Sequence, residues 1–182
     1  MEAMTAIKSR RSHRKFSDQK VTKEVIEKIV EAARFAPSWK NTQTVRYTVI
    51  ENEDLLNEIS NQCVMGFTFN AKTISGCSAL VVLSSVNKMS GYEKDGTFST
   101  TLGLHWQSFD AGIAAQTFCL AAHALGVASV ILGIFDENKI KLRCSLPENQ
   151  DVMALIAIGY PLETEKEAPK RLEVNEILHF IE

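Results

Sequence analysis

The order of apolar segments predicts an α+β domain, a central mixed sheet flanked by helices. Three observations carry this. Residues 78–83 and 152–158 are continuous apolar runs of strand length, as expected of strands covered on both faces. Strand and helix patterns are separated by connections of unequal length. The longest helical pattern, 106–125, is apolar almost all round, so most of its sides are buried. The chain has 182 residues, reads as one domain over 1–182, and is long enough to bury a substantial core.

Each element has its own justification. Residues 2–10 form a short helix with Met4, Ala6 and Ile7 apolar. Thr22 is placed to cap a helix running to about Phe35, where Val25, Ile26, Ile29, Val30 and Ala33 make one stripe, and Pro37 ends it. Residues 47–50 are β-prone and 53–62 helical. Residues 78–83 make a buried central strand. Residues 87–104, rich in Gly, Ser, Thr and Lys, read as a long loop, partly ordered at best without a ligand. The helix 106–125 stops at Gly126, and its all-round apolarity implies a second subunit covering part of it. A strand at 127–134 follows, then a short helix capped by Asp136 and running to about Arg143. The strand 152–158 stops at Gly159-Tyr160-Pro161. A charged loop leads to Lys170-Arg171 and a terminal segment ending Ile177-Leu178-His179-Phe180.

Bulk composition removes several function classes. Hydrophobic residues are 45%, charged residues 23% and the net charge is −2, so no global field draws the chain to nucleic acid or a membrane surface. No apolar run is long enough to span a bilayer. Ser9-Arg10-Arg11 has the look of a twin-arginine export signal, but Asp18-Gln19-Lys20 and an amphipathic helix come next in place of an apolar stretch. The expected location is the cytoplasm. Cys63, Cys77, Cys119 and Cys144 lack metal or redox spacing and read as buried thiols. No metal-binding histidine pair, dinucleotide-binding glycine pattern, P-loop or nucleophile elbow is present.

There remains a basic knot, Arg10-Arg11-Ser12-His13-Arg14, answered by Lys170 and Arg171 near the other end. Guanidinium groups bind phosphate bidentately and Ser12 adds a hydroxyl. The alternative is a solvated basic surface. Ser38, Asn41 and Gln43, in the turn Pro37-Ser38-Trp39-Lys40-Asn41-Thr42-Gln43, suit the polar edge of a flat heteroaromatic ring. The alternative is an ordinary helix-to-strand connection. Asn70 and Lys72 either reach a ligand or cap a turn. Gly133, after Ile131-Leu132, permits close approach of a flat ligand or marks a bulge. Taken together these residues suggest a phosphorylated cofactor, flavin mononucleotide (FMN).

In order, these segments resemble the nitroreductase family of FMN-dependent oxidoreductases. Arg10-Arg11-Ser12-His13-Arg14-Lys15-Phe16 is similar to its opening motif. Residues 32–43 are similar to its Ala-Ala to Asn-x-Gln segment, and residues 116–127 to its central helix. Ile131-Leu132-Gly133, Ile158-Gly159-Tyr160-Pro161 and Lys170-Arg171 complete the series over nearly the whole chain. The resemblance implies an intertwined homodimer of α+β subunits, each with an antiparallel-rich sheet, and FMN at the interface. It implies that Arg10, Arg11, Ser12 and Arg14 hold the phosphate and ribityl chain, with Lys170 or Arg171 closing on the phosphate. Asn70 would contact the flavin, and the backbone at Leu132 and Gly133 would approach the ring. Pro37, Ser38, Trp39 and Asn41 would come from the partner subunit and pack on the ring. The implied reaction takes hydride from NADH or NADPH and reduces a small acceptor, a nitroaromatic or quinone, by a ping-pong course. No acid or base side chain is expected to be catalytic. The same fold hosts dehalogenases, a flavin-fragmenting enzyme and, as a further alternative, non-enzymatic flavin binding. The loop 87–104 is the candidate lid for the first two. Trp39 stands where the family often has a small residue, and Leu132 where some members have Glu.

Overall fold

The computed structural model describes residues 1–162 and 168–181. Along these the chain runs α1 (Ala3–Ser9), α2 (Lys23–Ala33), β1 (Val45–Ile50), α3 (Glu53–Gln62), α4 (Thr68–Ser75), β2 (Ala79–Val86), α5 (His105–Ala124), β3 (Ala128–Leu132), α6 (Glu137–Arg143), β4 (Gln150–Gly159) and α7 (Val174–Ile177). The sheet order is β1-β2-β4-β3, and all three pairings are antiparallel. The parallel element is the isolated bridge between Ser12 and Ser129, which covers the edge strand β3. The fold is thus the expected antiparallel-rich α+β arrangement.

Period-two alternation explains the continuous apolar run in β2. Leu80 and Val82 join Leu56, Ile59, Ile74 and Ile140 from α3, α4 and α6 on one face. Ala79, Val81 and Leu83 join Ile29, Ala115 and Phe118 from α2 and α5 on the other. Antiparallel sheets often leave one face to water. Here helices cover both, so neither set of side chains can be polar.

On α5, Asp110, Ala111, Ala114, Ala115, Phe118, Cys119 and Ala122 are buried. Phe109 is 56% exposed and Gly112 and Gln116 are exposed as well. The sequence is apolar on every side, but the rest of the chain covers only one. Leu125 closes the helix and Gly126 reverses the chain at φ +77°.

The structure differs from the sequence reading in several places. Residues 68–75 are helical, where the residue types suggest a turn before β2. Phe67 at the N-cap makes no side-chain capping bond, so this helix has no start signal. Helix α2 stops at Ala33, four residues before Pro37. The 87–104 segment is tied down: Ser90 is fully buried, Tyr92 and Phe98 form an isolated bridge, and their rings lie 4.8 Å apart. Strand β3 ends at Leu132, so Gly133 lies just beyond it. Residues 163–167 of the charged loop lie outside the described residues. Among the described residues no helix is long and apolar enough to cross a membrane, and no group of His, Cys, Asp or Glu could hold a metal.

Phe118 is fully buried and stacks on Tyr47 at 5.5 Å between ring centroids. Phe118→Ala should cost about 3–5 kcal/mol of unfolding free energy, read from the shift in denaturant midpoint. A loss near zero would mean that α5 is not seated on the sheet through this residue.

Candidate functional site

The basic knot follows α1 directly. Arg10 is the C-cap of α1, after which the chain extends along β3, with His13 N–H donating to Ser129 O at 3.1 Å. Arg11 Nη1 donates to the carbonyls of Lys8 at 2.6 Å and Arg10 at 2.9 Å. The Nε atoms of Arg10 and Arg11 are both buried with no hydrogen-bond partner. A buried donor left unpaired costs free energy comparable to a lost hydrogen bond. Two such donors on adjacent cations form a place that an anion would complete. Arg14 is exposed.

From Ser129, β3 carries the chain to Leu132, about 10 Å further at strand rise. Leu132 is buried and Gly133 exposed. A Cβ at Gly133 would meet nothing within 4 Å, and its backbone is not left-handed. Neither torsion nor packing within the chain therefore requires glycine there. Asn70, buried on α4, donates its amide Nδ2 to Ile134 O at 3.0 Å and braces the exit from β3. The structure thus strings Arg10, Arg11, Ser12, Leu132, Gly133 and Asn70 along one sheet edge.

The 37–43 turn is built differently. Lys40, Asn41 and Gln43 adopt φ values of 45°, 56° and 50°, left-handed conformations that cost each of these residues energy. Surrounding bonds hold them there. Ser38 Oγ accepts from Gln43 N–H at 2.9 Å. Both carboxylate oxygens of Asp110, which is 2% exposed, accept from Trp39 N–H at 3.1 and 3.0 Å, and Oδ2 also accepts from Ser90 Oγ–H at 2.6 Å. The Trp39 ring packs on Trp106 at 4.4 Å, and its buried Nε1 has no hydrogen-bond partner. Lys40 pairs with Glu93 at 2.9 Å, joining the turn to the 87–104 loop. The Ser99 hydroxyl, then Lys40, hold the Glu93 carboxyl below its ordinary range. Beside the turn lies a cavity of about 340 Å³ reaching Tyr47 and Ala114. The buried Tyr47 hydroxyl has no partner, and burial pushes it up to about 12.

The two groups are anchored to opposite ends of α5. The turn hangs from Asp110, while the basic knot meets His123 through Ser9, whose Oγ is 2.7 Å from Nε2. Thirteen residues at helical rise separate these anchors by about 20 Å. Pro37, Ser38, Trp39, Asn41 and Gln43 therefore stand apart from Arg10, Arg11 and Ser12 in this chain. Lys170 and Arg171 are exposed, and Arg171 Nη1 donates to Pro169 O at 2.9 Å. Among the described residues neither makes a bond to the knot. No sequence motif singles out Asp110 or His123. Asp110 was nonetheless legible, being the one acidic residue in the apolar stretch 106–125.

The family model described as Nitroreductase family matches residues 7–160. A relative from Archaeoglobus fulgidus, provisionally named an NADH dehydrogenase/NAD(P)H nitroreductase, is 34% identical over 164 residues, covering 88% of this chain and 86% of its own. A Bacillus subtilis protein named FMN reductase, using NAD(P)H, is 26% identical over 180 residues, covering 93% and 70%. The solved structure of an FMN-dependent nitroreductase from Clostridium difficile superimposes with a TM-score of 0.77 at 26% identity, covering 97% of this chain and 98% of its own.

Asp110→Ala should free the turn, because the Trp39 amide and the Ser90 hydroxyl both lose their acceptor. The expected signature is faster amide hydrogen exchange in 38–43 and a stability loss of about 1–3 kcal/mol for each orphaned donor. Unchanged exchange there would mean that the left-handed turn holds itself. Acid should loosen the same latch. The folded-state pKa of Glu93 is depressed, so its contribution is present above the unfolded value and lost as pH falls through the folded one. Exchange in 93–99 should rise in that acid window, and Glu93→Gln should abolish the rise.

Proposed function

The chain belongs to the nitroreductase family, and from that premise we propose that it is an FMN-dependent oxidoreductase. It takes hydride from NADH or NADPH and reduces a second small molecule, a nitroaromatic, quinone or similar acceptor, by a ping-pong course in one pocket. The observation that carries the reading is the pair of buried, unpartnered Nε atoms on Arg10 and Arg11, which fits a phosphate. Gly133 adds a second fit: space kept open above a backbone that needs no glycine for itself suits a flat ring. The names of relatives as FMN reductase and FMN-dependent nitroreductase support the same cofactor.

Arg10 and Arg11 would bind the phosphate, with Ser12 and Arg14 along the ribityl chain and Lys170 or Arg171 closing over it. Asn70 would hold the loop after β3 so that Leu132 and Gly133 present backbone to the ring. FMN supplies the hydride chemistry when bound, and the chain supplies binding, orientation and electrostatics. Cationic donors fixed at the site favour a more negative cofactor. No side chain is assigned an acid or base role.

The ring-lining turn would come from the partner in a homodimer. The separation of about 20 Å between Asp110 and His123 agrees with this, since the turn stands far from the phosphate-binding end of its own chain. The uncovered face of α5 around Phe109 and Gly112, and the exposed Leu172, Ile177 and Phe180, supply apolar surface for such an interface.

The purified protein should show oxidised flavin bands that anaerobic NAD(P)H bleaches. A colourless protein that takes up no added FMN would refute the reading. Arg10→Ala with Arg11→Ala should weaken FMN binding by about 1.5–3 kcal/mol per charge-assisted contact, measured by equilibrium dialysis. Division of the site between subunits has its own check. Co-expressing that double variant with a Ser38→Ala, Asn41→Ala variant should restore one intact site in the mixed dimer, whereas a site within one subunit would show no rescue.

A further inference from the structure

His123 lies in the last turn of α5, against the end of α1. Ser9 Oγ is 2.7 Å from His123 Nε2 and 2.7 Å from Thr5 O. A hydroxyl has one proton, and a carbonyl only accepts. Ser9 therefore donates to Thr5 and accepts from His123 Nε2–H. The neutral ring is the Nε2–H tautomer, and Nδ1 is the atom left to take up a proton.

The charged and titratable groups facing this ring are Arg10 and Arg11 from the segment after α1, with Cys119 one turn earlier on α5. From β3, Ser129 is neutral and bonds Cys119. Burial first, then Arg10 and Arg11, hold the imidazole below its ordinary value. The two cations that oppose its charge are thus the two whose Nε atoms lack partners.

We infer that docking of the FMN phosphate on Arg10 and Arg11 is coupled to proton uptake at His123 Nδ1, making His123 a proton-linked positioning residue for the cofactor. The inference rests on the phosphate placement proposed above. A phosphate dianion offsets the field of the two guanidinium groups, and the carbonyl end of α5 favours a cation at this position. One proton moves from solvent to Nδ1 and no other bond changes. The protonated ring keeps its Nε2–H bond to Ser9, so α1 and the knot stay in register with α5. By linkage, FMN binds more tightly as pH falls toward the range in which His123 titrates.

Calorimetric titration of FMN into flavin-free protein tests this. The work is done at about pH 6.5, closer to the range in which His123 titrates, and the uptake is read as the difference between wild type and His123→Gln, which share the exchange of the phosphate's own proton, with a second pKa of about 6. Buffers of different ionisation enthalpy report the protons exchanged. Wild-type protein should take up protons on binding FMN, and His123→Gln should bind FMN with that uptake lost. Riboflavin, which lacks the phosphate, should draw none into the wild type. Equal uptake by His123→Gln would overturn the inference, as would equal uptake with riboflavin, a comparison that needs no variant. Binding of neither flavin would overturn the FMN reading and this inference with it, an outcome distinct from binding with unchanged proton exchange.

Discussion

The seating of Phe118, Ala115 and Ala122 against Val81 and Ile156 fixes α5 on the sheet, and both halves of the candidate site are anchored to that helix. Asp110 near one end holds the strained turn. His123 near the other meets the end of α1 and, through Ser9, the basic knot. Because interiors are close-packed, a helix buried this way behaves as a rigid spacer. The sheet adds the third fixed direction, since β3 carries the chain from the bridge with Ser12 to Gly133. The site's shape follows from core packing before any ligand is considered.

Its two halves are stabilised by opposite means. The turn stores backbone strain in three left-handed residues, and a buried carboxylate with two neutral donors overrides it. The knot stores unmet hydrogen-bonding capacity in two buried cationic Nε atoms. The first half is held by bonds of its own, leaves only neutral groups such as Trp39 Nε1 unpartnered, and presents a fixed shape. The second is incomplete and presents an electrostatic demand. A phosphorylated flat cofactor matches that division, its anionic tail answering the demand and its ring the shape.

Much of the fold was legible because local signals and burial agree. The helix Glu53–Gln62 follows Asn52, whose side chain accepts from Leu55 N–H, and Asp136 caps α6 in the same way. The apolar runs of β2 and β4 reveal their places in the sheet because nothing but helices on both faces could cover them. Helix α4 is hidden in the sequence because it has no capping residue and is held by tertiary packing of Ile74. The order of the 87–104 loop is hidden too, because its polar composition masks one buried serine and one ion pair. For the site, residue types were readable and their grouping was not. A sequence shows that Arg10 and Asn41 suit one ligand, but not that their anchors stand at opposite ends of one helix.

That helix has a consequence for how the chain can change. Each added residue in an α-helix advances the axis by 1.5 Å and rotates the remainder of the helix by about 100°. A one-residue insertion between Asp110 and His123 would turn one anchor to the wrong side of the sheet. A whole extra turn would restore the direction but lengthen the span. The segment from 110 to 123 should thus hold its length through descent while the 87–104 loop lengthens and shortens. Chain length in α5 acts as a gauge, set by the core and not by any contact with a ligand.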